Sequence, residues 1–172
     1  MRSHVSIAKA HIVHSGEARG PRHVRFDIFG DEIVVKLGHA DTDGSYAIME
    51  GITPPQGGPP LHRHSREDES FYIMEGDFVF EIDGEKLPAG PGCTLFAPRG
   101  TAHTFQNVGK TPGRLLVIVQ PAGLDVFFDE VAQIASGMAQ PDLKVIVPLF
   151  DKYGLELLGP PMAARSVATA AS

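Results

Sequence analysis

At 172 residues, with 42% apolar and 21% charged side chains, the chain has the composition of one globular domain with room for a sizeable core. Its formal net charge of -6 argues against a general nucleic-acid-binding surface and against an anionic membrane patch. No apolar run approaches the roughly 18–20 residues of a membrane span, which excludes a helical membrane protein. The first ten residues are broken by polar side chains and lack the apolar stretch of a signal peptide, so the chain reads as cytoplasmic.

In chain order, residues from about 22 to 120 read as short strands between turns. Ile33–Leu37, Tyr46–Met49, Glu69–Met74, Phe78–Ile82, Cys93–Ala97, Ala102–Val108 and Arg114–Val119 are the candidates. Asp-Thr-Asp-Gly at 41–44, Glu75-Gly76-Asp77, Asp83-Gly84 and Asn107-Val-Gly109-Lys supply hairpin chemistry. Many short strands at regular spacing predict an all-β sandwich or barrel. Leu115-Leu-Val-Ile-Val119 is apolar at every position, which predicts a strand covered on both faces. After Pro121 the period becomes helical, with Leu124, Phe127, Phe128, Val131 and Ile134 on one stripe and Gly137 at the stop. That helix is expected over the barrel's outer face or its mouth. A second helical stretch runs from Pro141 to Gly154 and contains Pro148, which either kinks it or starts it. The small-residue tail from Ala163 reads as disordered. Cys93 is the single cysteine: it excludes an internal disulfide framework, suits a reducing cytosol, and in its apolar run reads as a buried small hydrophobe.

His62, His64, Glu69 and His103 carry the chemistry. Residues two apart on a strand share a face, so His62 and His64 address one target. Glu69 shares the parity of Phe71 and Ile73, and His103 that of Phe105, so both point toward an apolar interior. A carboxylate there needs a cation, a hydrogen-bond network or a proton. Imidazole with carboxylate suits one divalent transition metal such as Fe, Mn, Ni, Co or Zn. The remaining histidines (His4, His11, His14, His23 and His39) read as surface or satisfied core residues. The loop Ser65-Arg-Glu-Asp68 reads as solvated, with Arg66 and Arg99 available to steer an anion. Phe71, Ile73, Leu95 and Phe105 are core residues that also suit the wall of an apolar substrate pocket.

The two blocks, Gly57 to Gly76 and Gly92 to Asn107, resemble the paired motifs of the cupin superfamily, small β-barrels of jelly-roll type. The second block matches throughout, at Gly92, Pro98, Gly100, His103 and Asn107. The first matches at His62, His64, Glu69 and Gly76 but departs at its start, where Gln56 stands at the position of the family's leading glycine. Gly-Pro-Pro-Leu-His-Arg-His and the Phe-Phe-Asp-Glu-Val-Ala tail are similar to single-domain bacterial cupins grouped with quercetin 2,3-dioxygenase. The resemblance implies one cupin jelly-roll β-barrel with one or two C-terminal helices. It also implies His62, His64, Glu69 and His103 as metal ligands, with Glu69 as the group that takes the substrate's proton.

For function the resemblance implies a metal-dependent dioxygenase that joins O2 to a flavonol-like or enolic substrate, opening a flavonol's ring with loss of carbon monoxide. Glu69 is expected to have a raised pKa when it leaves the metal. Two alternatives remain open: a non-catalytic metal-containing binding or sensor cupin, and an isomerase, cyclase or lyase that uses no oxygen. The doubly apolar 115–119 strand further predicts a homodimer through the barrel's outer surface.

Overall fold

The computed structural model describes residues 23–26, 31–135 and 143–165, together with Ile12. His4, His11, His14 and the tail from residue 166 lie outside the described residues, as does the side chain of His23. The elements run β1 His23–Phe26, β2 Asp31–Leu37, α1 His39–Thr42, β3 Ala47–Thr53, β4 Pro60–His64, β5 Asp68–Glu75, β6 Phe78–Ile82 and β7 Glu85–Ala89. They continue as β8 Thr94–Ala97, β9 His103–Asn107, β10 Gly113–Gln120, α2 Leu124–Ala135, α3 Leu143–Tyr153 and β11 Leu155–Pro161. Neither α2 nor α3 is long and apolar enough to cross a membrane.

The strands form two antiparallel sheets, ordered β1-β2-β3-β10-β5-β8 and β11-β4-β9-β6-β7. The expected closed barrel is therefore a jelly roll of two facing sheets, with no hydrogen-bonded ladder joining them among the described residues. At one side the helices bridge the gap: α2 packs on β1 and β3, α3 packs on β11, and the helices pack on each other. They close the mouth between the sheets and do not cover the outer face of β10. Along β10, Leu115, Val117 and Val119 are buried while Ile118 is 36% exposed, so the described residues cover only one face of a strand that is apolar on both.

The core between the sheets is aromatic at its closed end. Phe71, Phe78, Phe80 and Phe105 stack edge-on and tilted, with ring centroids 5.1–6.3 Å apart. Backbones must come close around this cluster. A Cβ on Gly113 would stand 2.5 Å from the Phe78 ring, so only glycine fits.

Several local expectations are corrected. Residues 41–44 do join the antiparallel partners β2 and β3, but through the short helix α1 rather than a tight turn, with the C-cap Asp43 and Gly44 both in left-handed backbone. Cys93 is exposed, because the edge strand β8 begins one residue later and Cys93 sits in the preceding turn. Helix α3 runs through Pro148. Ile146 and Leu149 are buried while Pro148 lies on the solvent side, where the missing backbone donor leaves a carbonyl to water. Of the tail expected to be disordered, Ala163 to Arg165 are placed, and Arg165 pairs with Glu81 at 2.8 Å.

Candidate metal centre

Three histidines come from one sheet and the glutamate from the other. On β4 and β9, His62 and His103 are direct partners in an antiparallel ladder, so their side chains leave the same face. His64 follows two residues on and shares that face. Glu69 belongs to β5, opposite Ala97 and Val119, and reaches across the interior together with Phe71 and Ile73. The ligand atoms of His62, His64, Glu69 and His103 all lie within 4.8 Å of one another. His64 and His103 are each 2% exposed and Glu69 5%.

Each ring is held from behind. His62 Nδ1 lies 2.8 Å from the Pro60 carbonyl and His103 Nδ1 3.0 Å from the Thr101 carbonyl. His64 Nδ1 instead faces the Glu67 carboxylate at 3.4 Å. An acceptor at Nδ1 holds the proton there and leaves Nε2 as the free donor atom. At the centre, Glu69 Oε2 is 2.9 Å from His103 Nε2 and 3.3 Å from His64 Nε2. The Gly100 N–H donates to the His64 carbonyl at 2.7 Å, so the second motif's turn fixes the first motif's strand.

The electrostatics keep His62 neutral and couple Glu69 to His103. Burial, reinforced by His103 and His64, pushes His62 down to about 3, which keeps it neutral. Burial by itself would raise Glu69, but the His64 charge and the His103 hydrogen bond outweigh it and hold the carboxyl at about 2. The expected elevation is thus reversed by the imidazoles. Burial likewise disfavours a charged His103, and the Glu69 hydrogen bond and charge overcome that and raise it. Three imidazoles with outward-facing hydrogen bonds and one ionised carboxylate fit a divalent first-row transition metal.

His62, His64 and Glu69 of the cluster line a cavity of about 110 Å³. Of the four residues read as a pocket wall, Phe71 and Phe105 line it, and Ile73 and Leu95 do not. Ile73 is wholly buried further along β5, and Leu95 sits on the edge strand β8. Sequence reasoning missed the helical contribution of Leu124, Phe127, Phe128 and Phe150, and it missed Asp31 and Thr53 at the ends of β2 and β3. The alternation Asp31-Ile33-Val35 carried the same parity signal that singled out Glu69. The 65–68 loop also departs from expectation. Glu67 is buried behind His64, and Arg99 binds Asp68 through Nε and Nη2 at 3.0 and 2.8 Å.

The cupin domain family model matches residues 49–119, the span from β3 to β10 that holds all four cluster residues. Those residues are therefore a cupin domain. The chain is 33% identical over 66 residues to an oxalate-binding protein of Thermotoga maritima, a match covering 38% of this chain and 54% of that one. It is 27% identical over 88 residues to the quercetin 2,3-dioxygenase of Bacillus subtilis, covering 51% of this chain and 26% of the enzyme. Among solved structures, a predicted oxalate decarboxylase from Thermotoga maritima superposes with a TM-score of 0.50 at 27% identity, over 53% of this chain and 80% of that one. The chain thus spans about half or less of the length of these two sequence relatives.

The departure at Gln56 has a structural resolution. Gln56 adopts φ 64, the left-handed region that glycine favours, and its backbone N–H donates to Asn107 at 2.8 Å. The side chain changed while the turn was kept. The motif's Asn107 is structural: its amide donates to the carbonyls of Thr53 and Thr111 and accepts from the Gly109 N–H, each at 2.9 Å.

Proposed function

We propose that this cupin domain holds one divalent transition metal through His62, His64, Glu69 and His103 and acts as a dioxygenase on an enolic or phenolic aromatic substrate, a flavonol being the model. The observation that carries the reading is the cavity beside the cluster: apart from the cluster and the Asp31–Thr53 pair its walls are aliphatic and aromatic, and neither Lys nor Arg is among the described residues lining it. A small dianion such as oxalate would find no cationic side chain there, whereas a planar ring matches Phe71, Phe105 and Phe127. The distant likeness to a quercetin dioxygenase supports the same class of substrate.

When bound, the metal supplies Lewis acidity that makes a substrate hydroxyl easier to deprotonate. Glu69 accepts that proton on its carboxylate, with His64 and His103 holding the carboxylate in place. The aromatic walls orient the ring and keep water from the electron-rich anion. For a flavonol the balance is one O2 taken up, both its atoms retained in a ring-opened ester, and one ring carbon lost as carbon monoxide.

Metal content followed by oxygen uptake against flavonols and diketones tests this. Stoichiometric metal is expected in the parent and little in a His62→Ala/His103→Ala double variant; full occupancy of that variant would overturn the site. Oxygen uptake should accompany flavonol loss. Saturable binding without turnover would favour the binding-protein reading, and product without oxygen uptake an isomerase, cyclase or lyase. The fold's outer sheet face supports a homodimer as the working assembly.

A further inference from the structure

We propose that Asp31, with Thr53 beside it, forms a second polar subsite in the cavity, which takes an uncharged hydroxyl carried by an aromatic ligand. Asp31 is 7% exposed and lines the cavity, and its Oδ1 has no hydrogen-bond partner among the described residues. A buried carboxyl oxygen without a partner is costly unless something outside the protein supplies one. Thr53, 1% exposed, stands one step beyond the Glu32↔Ile52 pair on the neighbouring strand and hydrogen-bonds to Asp31. Between this pair and the metal centre the walls are apolar, with Ile33, Met49, Leu115 and Val117 on the sheet and Phe127 and Phe128 on the helix.

The subsite is distinct from the cluster. Asp31 is on β2 and Glu69 on β5, with β3 and β10 between them, a lateral distance of roughly 14 Å at about 4.8 Å per strand. Burial, eased by Thr53, pushes Asp31 up to about 7, so below that pH it has a proton to give as well as a lone pair to offer. A hydroxyl satisfies both, and an aliphatic group satisfies neither. The inference deepens the aromatic-substrate reading and rests on it for the class of ligand only.

The test uses the full-length, metal-loaded protein with phenol and toluene, a matched pair differing by the hydroxyl. The parent is expected to bind phenol about three- to tenfold more tightly than toluene, as one hydrogen bond allows. Asp31→Leu should erase that preference with metal content unchanged, and Asp31→Asn should retain part of it. In the absence of ligand both variants should melt at least about 3 °C above the parent at pH 8, because each removes an unsatisfied buried carboxylate. Absence of a phenol preference in the parent, including absence of binding, overturns the subsite. So does a preference that survives in Asp31→Leu, which assigns it to the metal centre. Melting temperatures lowered in both variants would make Asp31 a structural residue and overturn the inference. A null result in oxygen uptake leaves these readouts intact, so the two readings fail separately.

Discussion

His62 and His103 rest their outer ring nitrogens on backbone carbonyls, which no side-chain substitution removes, whereas His64 rests its own on Glu67. On the proposed metal site, that makes Glu67 the side chain through which affinity for the metal is open to tuning. A carboxylate behind an imidazole raises its basicity as a ligand and fixes its orientation, and losing such a partner costs about 10–100-fold in affinity. Glu67→Gln is expected to weaken metal retention by that factor, read by competition with a chelator, while the four ligands and the fold remain. Glu69→Gln belongs to the chemistry: matched for metal content, it should lower turnover by about 10²–10⁴-fold, and parent-like turnover would reduce Glu69 to scaffolding. Asp31 sets a pH dependence of stability. Its carboxyl rises from 3.8 to about 7 on folding, so the folded state holds a proton that the unfolded state releases. Stability linked to Asp31 is complete below about pH 4, falls as pH rises toward 7 and is lost above it, an effect of up to roughly 4 kcal/mol. Denaturant titrations of the parent and Asp31→Asn should therefore diverge between pH 4 and 7 in favour of the variant; parallel curves would refute the shift.

At the scale of elements, what could be read from sequence follows from how local each signal is. Glu69, Phe71 and Ile73 alternate within one strand, and Leu124 to Ile134 repeat within one helix, so both elements and their inward faces were legible. The clustering of His62, His64, Glu69 and His103 was legible because their spacing matched strand periodicity. Strand β11, Leu155-Glu-Leu-Leu-Gly-Pro-Pro161, was not: it has no clean alternation, and it is a strand because it pairs with β4. Strand β7, Glu85-Lys-Leu-Pro-Ala89, is polar and edge-lying, and exists as the partner of β6. The cavity's helical wall was hidden for the same reason, since Phe127 and Phe150 meet it only through tertiary packing. The entry to β4 depends on a backbone approach that sequence does not display. Gly58 has φ 146, and a Cβ there would fall 2.0 Å from the Phe105 carbonyl oxygen on β9. Gly58→Ala must push β4 away from β9, and with it His62 from His103. It is expected to destabilise the protein by at least about 2 kcal/mol and to weaken metal retention together, and a variant with parent-like melting and metal content would show that the approach is not needed.

At the scale of the whole molecule, the proposed homodimer rests on the outer face of the six-stranded sheet, which the described residues leave uncovered. Leu116 and Ile118 on β10, Tyr72 and Met74 on β5 and Phe96 on β8 alternate with the inward core residues of their strands, so they share the outer side. The registers place Ile118 beside Ser70, Ser70 beside Phe96, and Leu116 beside Tyr72, which makes the patch continuous. Phe96 is 57% exposed, Tyr72 45% and Met74 38%, a contiguous aromatic and aliphatic surface larger than the isolated apolar residues that soluble monomers carry. The helices do not relieve it, because α2 and α3 are spent on closing the cavity mouth. A second copy is the simplest cover, since a two-fold axis brings one apolar sheet face onto its equivalent, and closed pairs are the commonest solution for small chains. Light scattering at low micromolar concentration should return about 37 kDa, twice the 18.5 kDa of one chain. Replacing both Tyr72 and Phe96 by lysine places charges against their own symmetry mates and should halve that mass without lowering metal content, because neither side chain faces the cavity. A parent of 18.5 kDa, or a double variant that stays paired, would reject this face as the interface.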